Sequence, residues 1–280
     1  MAGKAQIRFG LTVVVLMVAA ALLAPVLAPY AYDAYDLRPG RQNLGPSVAH
    51  WLGTDDLGRD TLSRLLMGAR VSLAVGFGVE LFDLLLGTLL GLLSGFYGGK
   101  VDSLIMRLTD VMFAFPDLLL AILIAGLLLS DPARNPAYSF LAVFVALAVV
   151  SWPNLARIVR GQAMALRERE FVEAARAIGA PNRRIIFTHL LPNLLGPIVV
   201  AVTTGMAGVI LAESTLSFLG IGVQPPYPSW GSMINDGRSR LLATPGQVFL
   251  PAAMLALTVL GFNFLGDGLR DRLDPRMRRG

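Results

Sequence analysis

The sequence predicts an all-α membrane protein with six transmembrane helices, both chain ends in the cytoplasm and one helical segment projecting from the cytoplasmic face. Three observations lead there. Of 280 residues, 55% are hydrophobic and 15% charged, with a mean hydropathy of +0.63, where soluble domains carry about 25% charged residues. Six runs are apolar enough to serve as spans, which need about 20 residues each. They lack strict alternation, which excludes a barrel and leaves helices, the other structure that satisfies its own backbone in lipid. Lys and Arg, finally, are distributed unevenly about the six runs.

The first run covers 9–27, behind Lys4 and Arg8. That start imitates a secretory signal. The apolar stretch is long, however, Pro29 follows the small-residue cleavage point near Ala28, and five more runs follow, so it reads as an uncleaved first helix. A long external loop, 28–70, comes next. Its GTDDLGRD stretch, 53–60, places Asp and Arg close enough to pair and supplies two glycines for turns, and 58–70 reads as an interfacial helix. Asp55, Asp56 and Asp60 lack the further oxygen ligands of a metal loop. The second run covers 71–93. In it Gly87, Gly91 and Gly95 repeat every four residues, a small-xxx-small surface for close helix packing within the chain or against another subunit. The third run, 113–129, is joined by the short SDPARNPAYS to the fourth, 140–158. The fifth, 194–212, ends at Glu213, which can brace the following loop. That loop, 214–247, opens with TLSFLGIGVQPPYPSWG, whose prolines and aromatics make it stiff. The sixth run covers 248–265.

With the N-terminus inside, sixteen of the 24 Lys and Arg fall on the cytoplasmic side. They are Lys4, Arg8, Lys100, Arg107, seven arginines between Arg157 and Arg184, and five from Arg270 to Arg279. The eight external ones include Arg134, Arg238 and Arg240, and five in loop 28–70, where five Asp accompany them. This is the positive-inside bias that orients spans, so the arginines do not indicate nucleic-acid binding. The chain has no cysteine, and two histidines, His50 and His189, so thiolate chemistry is excluded and a histidine metal centre has little to build on. No Ser–His, Cys–His or metal constellation occupies the spans, and neither paired broken halves nor a filter sequence is present. These absences argue against an intramembrane enzyme and against a channel or carrier.

The charged stretch between the fourth and fifth runs needs its own explanation. Residues 164–178 read MALREREFVEAARAI, and Phe171, Ala174, Ala175 and Ile178 fall on one helical stripe. Arg169 and Glu173 stand four apart and can pair beside it. Gly179 suits the residue after the helix end, and Pro181 stops simple continuation. A second helical pattern, 182–190, leads into the fifth run. The resulting helix–turn–helix is either a surface amphipathic helix or a docking helix for a soluble partner. The narrow alanine stripe and the mixed charges beside it favour docking.

Glu173-Ala174-Ala175, three residues, Gly179, nine residues, then His189, Leu191 and Pro192 resemble the coupling-loop signature of ABC importer permeases. The histidine, in HLLPN, stands where the general pattern has Ile and resembles the dipeptide, oligopeptide and nickel branch. Residues 50–73 (HWLGTDDLGRDTLSRLLMGARVSL), 215–236 (TLSFLGIGVQPPYPSWGSMIND) and 262–276 (FNFLGDGLRDRLDPR) resemble the same branch. The resemblance implies a type I ABC importer (MetI-like) permease fold in the bacterial inner membrane. On it, 1–70 hold the first helix and external loop, and 71–280 a five-helix permease core with coupling loop 164–192. It implies a second, different permease, two cytoplasmic ATPases that bind ATP and Mg, an external substrate-binding protein, and a peptide, nickel or glutathione substrate, with peptide favoured. The chain has no GxxxxGK[ST] loop, so it carries neither cofactor nor catalytic residue. Glu173, Ala174, Ala175, Gly179, Pro181, Leu191 and Pro192 would couple to an ATPase. Asp55, Gly58, Arg59 and Asp60, with Gln224, Pro225, Pro226 and Trp230, would lie on the binding-protein side. Glu80 and Asp83 sit three apart on one face of the second run, where this family is expected to be apolar. Intramembrane acids are functional candidates, and contact with cationic substrate groups stands beside an internal polar contact, a subunit contact or a shallower span.

Overall fold

The computed structural model describes residues 2–130 and 135–273. Arg134 and the tail arginines Arg276, Arg278 and Arg279 lie outside the described residues. The described secondary structure is helical, apart from one bridge between Thr54 and Asp60.

Helix α1 (Ala2–Leu27) runs antiparallel to the last helix, α10 (Gly246–Leu273). Phe9 meets Phe264 edge-on at 5.4 Å, and a Cβ on Gly10 would fall 2.5 Å from the Leu265 nitrogen. Both described chain ends therefore leave the bundle on one side, which requires an even number of crossings.

Helix α2 (Thr61–Tyr97) has 37 residues, about 56 Å at 1.5 Å per residue. That is nearly twice the hydrocarbon thickness of about 30 Å. Its first turns stand outside the lipid and are covered by the external segments, with Thr61, Ser63, Arg64 and Leu65 buried. Residues 61–70 are thus the start of the spanning helix and form no separate interfacial helix. The division at residue 70 falls inside α2. Arg64 and Arg70 interrupt the apolar run without interrupting the helix, since arginine favours helix; the helix starts where the Asp60 side chain caps it, accepting from the Ser63 nitrogen at 2.8 Å.

Helix α5 (Tyr138–Arg167) lies parallel to α2. Gly78 faces Phe144, Gly87 faces Leu155, Gly91 faces Ala156 and Val159, and Gly95 faces Ala163. Two parallel neighbours require the chain between them to recross the membrane. That return is made by α3 (Gly99–Phe113) and α4 (Asp117–Leu128), bent 83° at residues 114–116. Pro116 supplies the break, having no N–H and disfavouring helix in the residue before it. The third run is therefore no continuous helix over 113–129. Its helix has 12 residues, about 18 Å long, and seats the fully buried Ala121 and Ala125 against the bundle. Asp102 in α3 accepts from Arg160 at 2.5 and 2.7 Å, and Asp110 from Arg157, which holds α3 along the cytoplasmic half of α5.

Helix α5 stops at Arg167, so 164–178 is two helices: the end of α5, then α6 (Glu170–Ala177). After Gly179, α7 (Asn182–Arg184) passes through a π-helical stretch (Ile185–Leu190) into α8 (Leu191–Phe218) without a break. Helix α8 runs antiparallel to α2 and α10, with Gly205 beside Glu80 and Gly266 beside Thr204. Helix α9 (Trp230–Gly237) sits on the external ends of α2, α8 and α10. Six crossings result: α1, α2, the broken α3–α4, α5, α7–α8 and α10.

Candidate functional site

Three assemblies of polar and conformationally special residues stand out, one at each end of the bundle and one midway between them.

At the cytoplasmic end, α6 closes with a Schellman motif. Gly179 has φ +79° and donates to the Arg176 carbonyl at 2.9 Å, and Ala180 donates to Ala175 at 3.0 Å. Nothing lies within 4 Å of a Cβ built on Gly179, so the positive φ alone explains glycine there. Pro181 caps the next helix with an extended backbone. The stripe expected on α6 divides between two faces. Val172 and Ala175 point inward, buried with Ile185, Ile186 and Leu190 and with Leu92, Phe96, Val159 and Ala163. Phe171, Ala174 and Ile178 point outward, Ile178 being 86% exposed. Glu173 is exposed on the outer side, and no ion pair joins it to Arg169 among the described residues; the two meet through the backbone, Glu173 N to Arg169 O at 3.2 Å. Leu191 is half-buried and Pro192 exposed in the first turn of α8.

At the external end, Asp55 is the hub of a clasp. It accepts from the Leu57 and Arg59 nitrogens at 2.9 Å and from the Arg59 guanidinium at 2.7 Å, and it lies 3.3 Å from Arg64. Arg64 and Arg59 also reach Asp236 of α9, at 3.2 and 3.7 Å. Gly58 (φ +72°) passes so close to the Asp36 carbonyl that a Cβ would fall 2.1 Å from it. The same outer loop carries Asp36, which accepts from Arg38 at 2.8 and 2.6 Å; that hydrogen bonding holds the Asp36 carboxyl down at about 2. Asp60, besides capping α2, lies 2.9 Å from His50 Nδ1. Beneath the clasp, Glu213 is fully buried and accepts from Ser72 at 2.9 Å and Ser217 at 2.8 Å. Trp230 is 0% exposed; its ring N–H donates to the Leu65 carbonyl at 3.3 Å. Asp55, Arg59, Asp60 and Trp230, expected on the binding-protein side, are struts within this chain, buried and bonded to its own residues. The outermost members of the set are Pro225, which is exposed, and Gln224 and Pro226, which are half-buried.

Midway along the bundle, Glu80 and Asp83 open onto a cavity of about 310 Å³ between α2, α5 and α8, with Asp117 of α4 at its edge. Sequence reading had the two acids but not the cavity, because its other walls, Ser151, Asn154, Gly205 and Gly208, come from distant stretches that carry no shared pattern. Gly87, Gly91 and Gly95 line the α2–α5 contact on the cytoplasmic side of this cavity, each with α5 backbone or Cβ atoms within 3.1 Å of where a Cβ would stand. Among the described residues no group of three or more His, Cys, Asp or Glu could hold a metal ion.

Comparison with known proteins agrees with this architecture. Residues 87–279 match the family model described as the binding-protein-dependent transport system inner membrane component, and residues 8–46 match the N-terminal TM domain of oligopeptide transport permease C. The dipeptide transport system permease protein DppC of Alkalihalophilus pseudofirmus is 45% identical, covering 96% of this chain and 85% of that protein. The glutathione transport system permease protein GsiD of Pectobacterium atrosepticum is also 45% identical, covering 95% and 85%, and the oligopeptide transport system permease protein OppC of Bacillus subtilis is 41% identical, covering 96% and 85%. A solved structure of the MetNI methionine ABC transporter superposes with a TM-score of 0.59 at 22% identity, covering 75% of this chain and 96% of that one, and so shares the fold. The chain belongs to the binding-protein-dependent transport system inner membrane components: it is a multi-pass permease subunit of an ABC importer of the peptide and glutathione branch, itself without catalytic site or cofactor.

Proposed function

We propose that this permease translocates di- or oligopeptides inward, driven by an ATPase that docks on the outer face of α6. The observation that carries the docking is the division of α6 into two faces. Val172 and Ala175 fasten it to the bundle, while Phe171, Ala174 and Ile178 remain exposed beside the exposed Glu173, which has no ion-pair partner among the described residues. An apolar stripe on a short helix, with alanine at its centre and a charge at its side, fits a groove in a soluble protein. Ala174 admits close approach, Glu173 meets a basic or N–H donor group, and Gly179 with Pro181 fixes the elbow that aims the helix. A second permease completes the pathway along the α2–α5–α8 side, where the central cavity opens. The peptide substrate is supported by the relatives, whose names specify dipeptide, oligopeptide and glutathione, itself a short peptide. Glutathione and nickel are the alternative cargoes within the branch.

The test is co-purification in nanodiscs from cells expressing the whole importer, wild type against Glu173→Arg. The expected result is that the ATPases leave the mutant while the permease stays folded and monodisperse. An ATPase retained at wild-type stoichiometry, with normal ATP-driven uptake, would refute docking at this face.

A further inference from the structure

Glu80 and Asp83 are each 5% exposed and lie midway along a membrane-spanning helix. Carboxylates in such a place need a cation or strong donors, and this chain supplies few. Glu80 has no hydrogen-bond or ion-pair partner among the described residues, although it lines the cavity. Asp83 accepts one bond, from the Ser151 hydroxyl at 2.8 Å, but that hydroxyl has one proton and lies equally close to the Leu147 carbonyl. Among the described residues no Lys, Arg or His lines the cavity, whereas Asp117, Ser151 and Asn154 add further acceptors. The fold also makes room for the acids. A Cβ on Gly205 of α8 would fall 2.2 Å from Glu80 Oε1, so glycine at that position lets the carboxylate lie across the α2–α8 contact and face the opening. At about 310 Å³ the cavity is at the small end of ligand sites, which run from roughly 300 to 1,000 Å³.

Resting on the peptide reading above, we propose that Glu80 and Asp83 receive the ammonium group of the passing substrate, so that the permease itself selects for a positive charge after the binding protein has released its cargo. An ammonium brings three donors and no acceptor, the complement of a site made of carboxylates and hydroxyl and amide oxygens. The ammonium can come from the peptide N-terminus or from a lysine side chain.

The experiment reconstitutes the complete importer in proteoliposomes and measures uptake of trialanine, N-acetyl-trialanine and Ala-Lys-Ala at saturating binding protein. Wild type is compared with Glu80→Gln/Asp83→Asn and with Glu80→Asp, which keeps the charge. A charged hydrogen bond supports a discrimination of about tenfold. The double variant is expected to lose that factor for trialanine relative to its acetylated form if the N-terminus is the ligand, or for Ala-Lys-Ala alone if the side chain is. Glu80→Asp keeps the wild-type ratios. Unchanged ratios in the double variant overturn the proposal, as does loss of the second permease on purification, which would assign the acids to a subunit contact. If wild type moves none of the three, the peptide reading fails separately. Titration of the nanodisc-embedded complex with trilysine then decides the cation site alone, and binding that Glu80→Gln leaves unchanged overturns it.

Discussion

Replacing Gly91 with alanine tests how tightly α2 and α5 are joined. The added methyl would stand 2.6 Å from the Ala156 carbonyl oxygen and 2.7 Å from Val159 Cβ. Carbon atoms in contact prefer about 3.5–4.0 Å, so the helices must separate by roughly 1 Å, and the first atom met is backbone, which cannot rotate away. Overpacking of this kind costs about 1–3 kcal/mol. Alanine offsets part of it, since glycine in a helix is about 1 kcal/mol worse than alanine. The net expectation is a loss of about 0–2 kcal/mol, set by combining those two effects. Gly161, in α5, has nothing within 4 Å of its Cβ position and gives the matched control, in which only the propensity gain operates. Gly87→Ala should fall between them, its nearest atoms being 3.0 and 3.1 Å away. The assay is thermal loss of monodisperse protein in detergent, followed by size-exclusion fluorescence. At about 2–4 °C per kcal/mol for a chain approaching this size, Gly91→Ala should melt several degrees below Gly161→Ala. Equal melting of the two would refute the argument that these glycines are needed for helix contact.

Two further outcomes follow from the external clasp. Trp230→Ala empties a fully buried site and strips a donor from the Leu65 carbonyl. It should cost about 3–5 kcal/mol in the same melting assay, and a loss below that of Gly91→Ala would contradict the placement of Trp230 as an internal strut. Asp60→Ala removes the cap of α2 and the partner of His50. It should cost about 1–2 kcal/mol and speed proteolysis of loop 28–60 from outside while the helical circular dichroism stays constant; unchanged cleavage would deny the cap its role.

Legibility in the sequence varied with how local each signal was. The apolar runs of α1, α5, α8 and α10 were plain because a span advertises itself over twenty consecutive residues. The Gly179 turn was plain because a positive φ at a helix end has a residue-level signature. The start of α2 was misread because an apolar run marks where lipid is, and this helix continues beyond the lipid into protein, where Arg64 finds Asp55 and Asp236. The break before α4 was signalled by Pro116 and overridden by the hydropathy of the residues on both sides. Which face of α6 looks inward was not readable at all. Phe171 is larger and more apolar than Val172, so hydrophobicity pointed the wrong way. The outcome depends on Ile185, Ile186 and Leu190, which arrive from beyond the turn.

That inward face decides how movement can pass through the molecule. The core that seats Val172 and Ala175 is built from the cytoplasmic ends of three helices: Leu92 and Phe96 from α2, Leu155, Val159 and Ala163 from α5, and Leu194 and Ile198 at the start of α8, with Leu190 of the π-helical stretch just before it. Arg167 ties the same place to the end of α2, donating to the Gly95 and Phe96 carbonyls at 3.2 and 3.4 Å, where a helix terminus favours positive charge. Arg176 of α6 lies 5.7 Å over the Phe96 ring. A close-packed core of this sort resists internal deformation, and it fastens α6 to these three helix ends. Elements that shift as rigid bodies against one another are how packed proteins switch state. The link from α6 onward is therefore broader than the chain connection through Pro181 into α8. Leu155 belongs to this core and also lines the central cavity, and Ala201 and Val202 pack against the core and line the cavity as well. Those three side chains join the seat of α6 to the walls around Glu80 and Asp83.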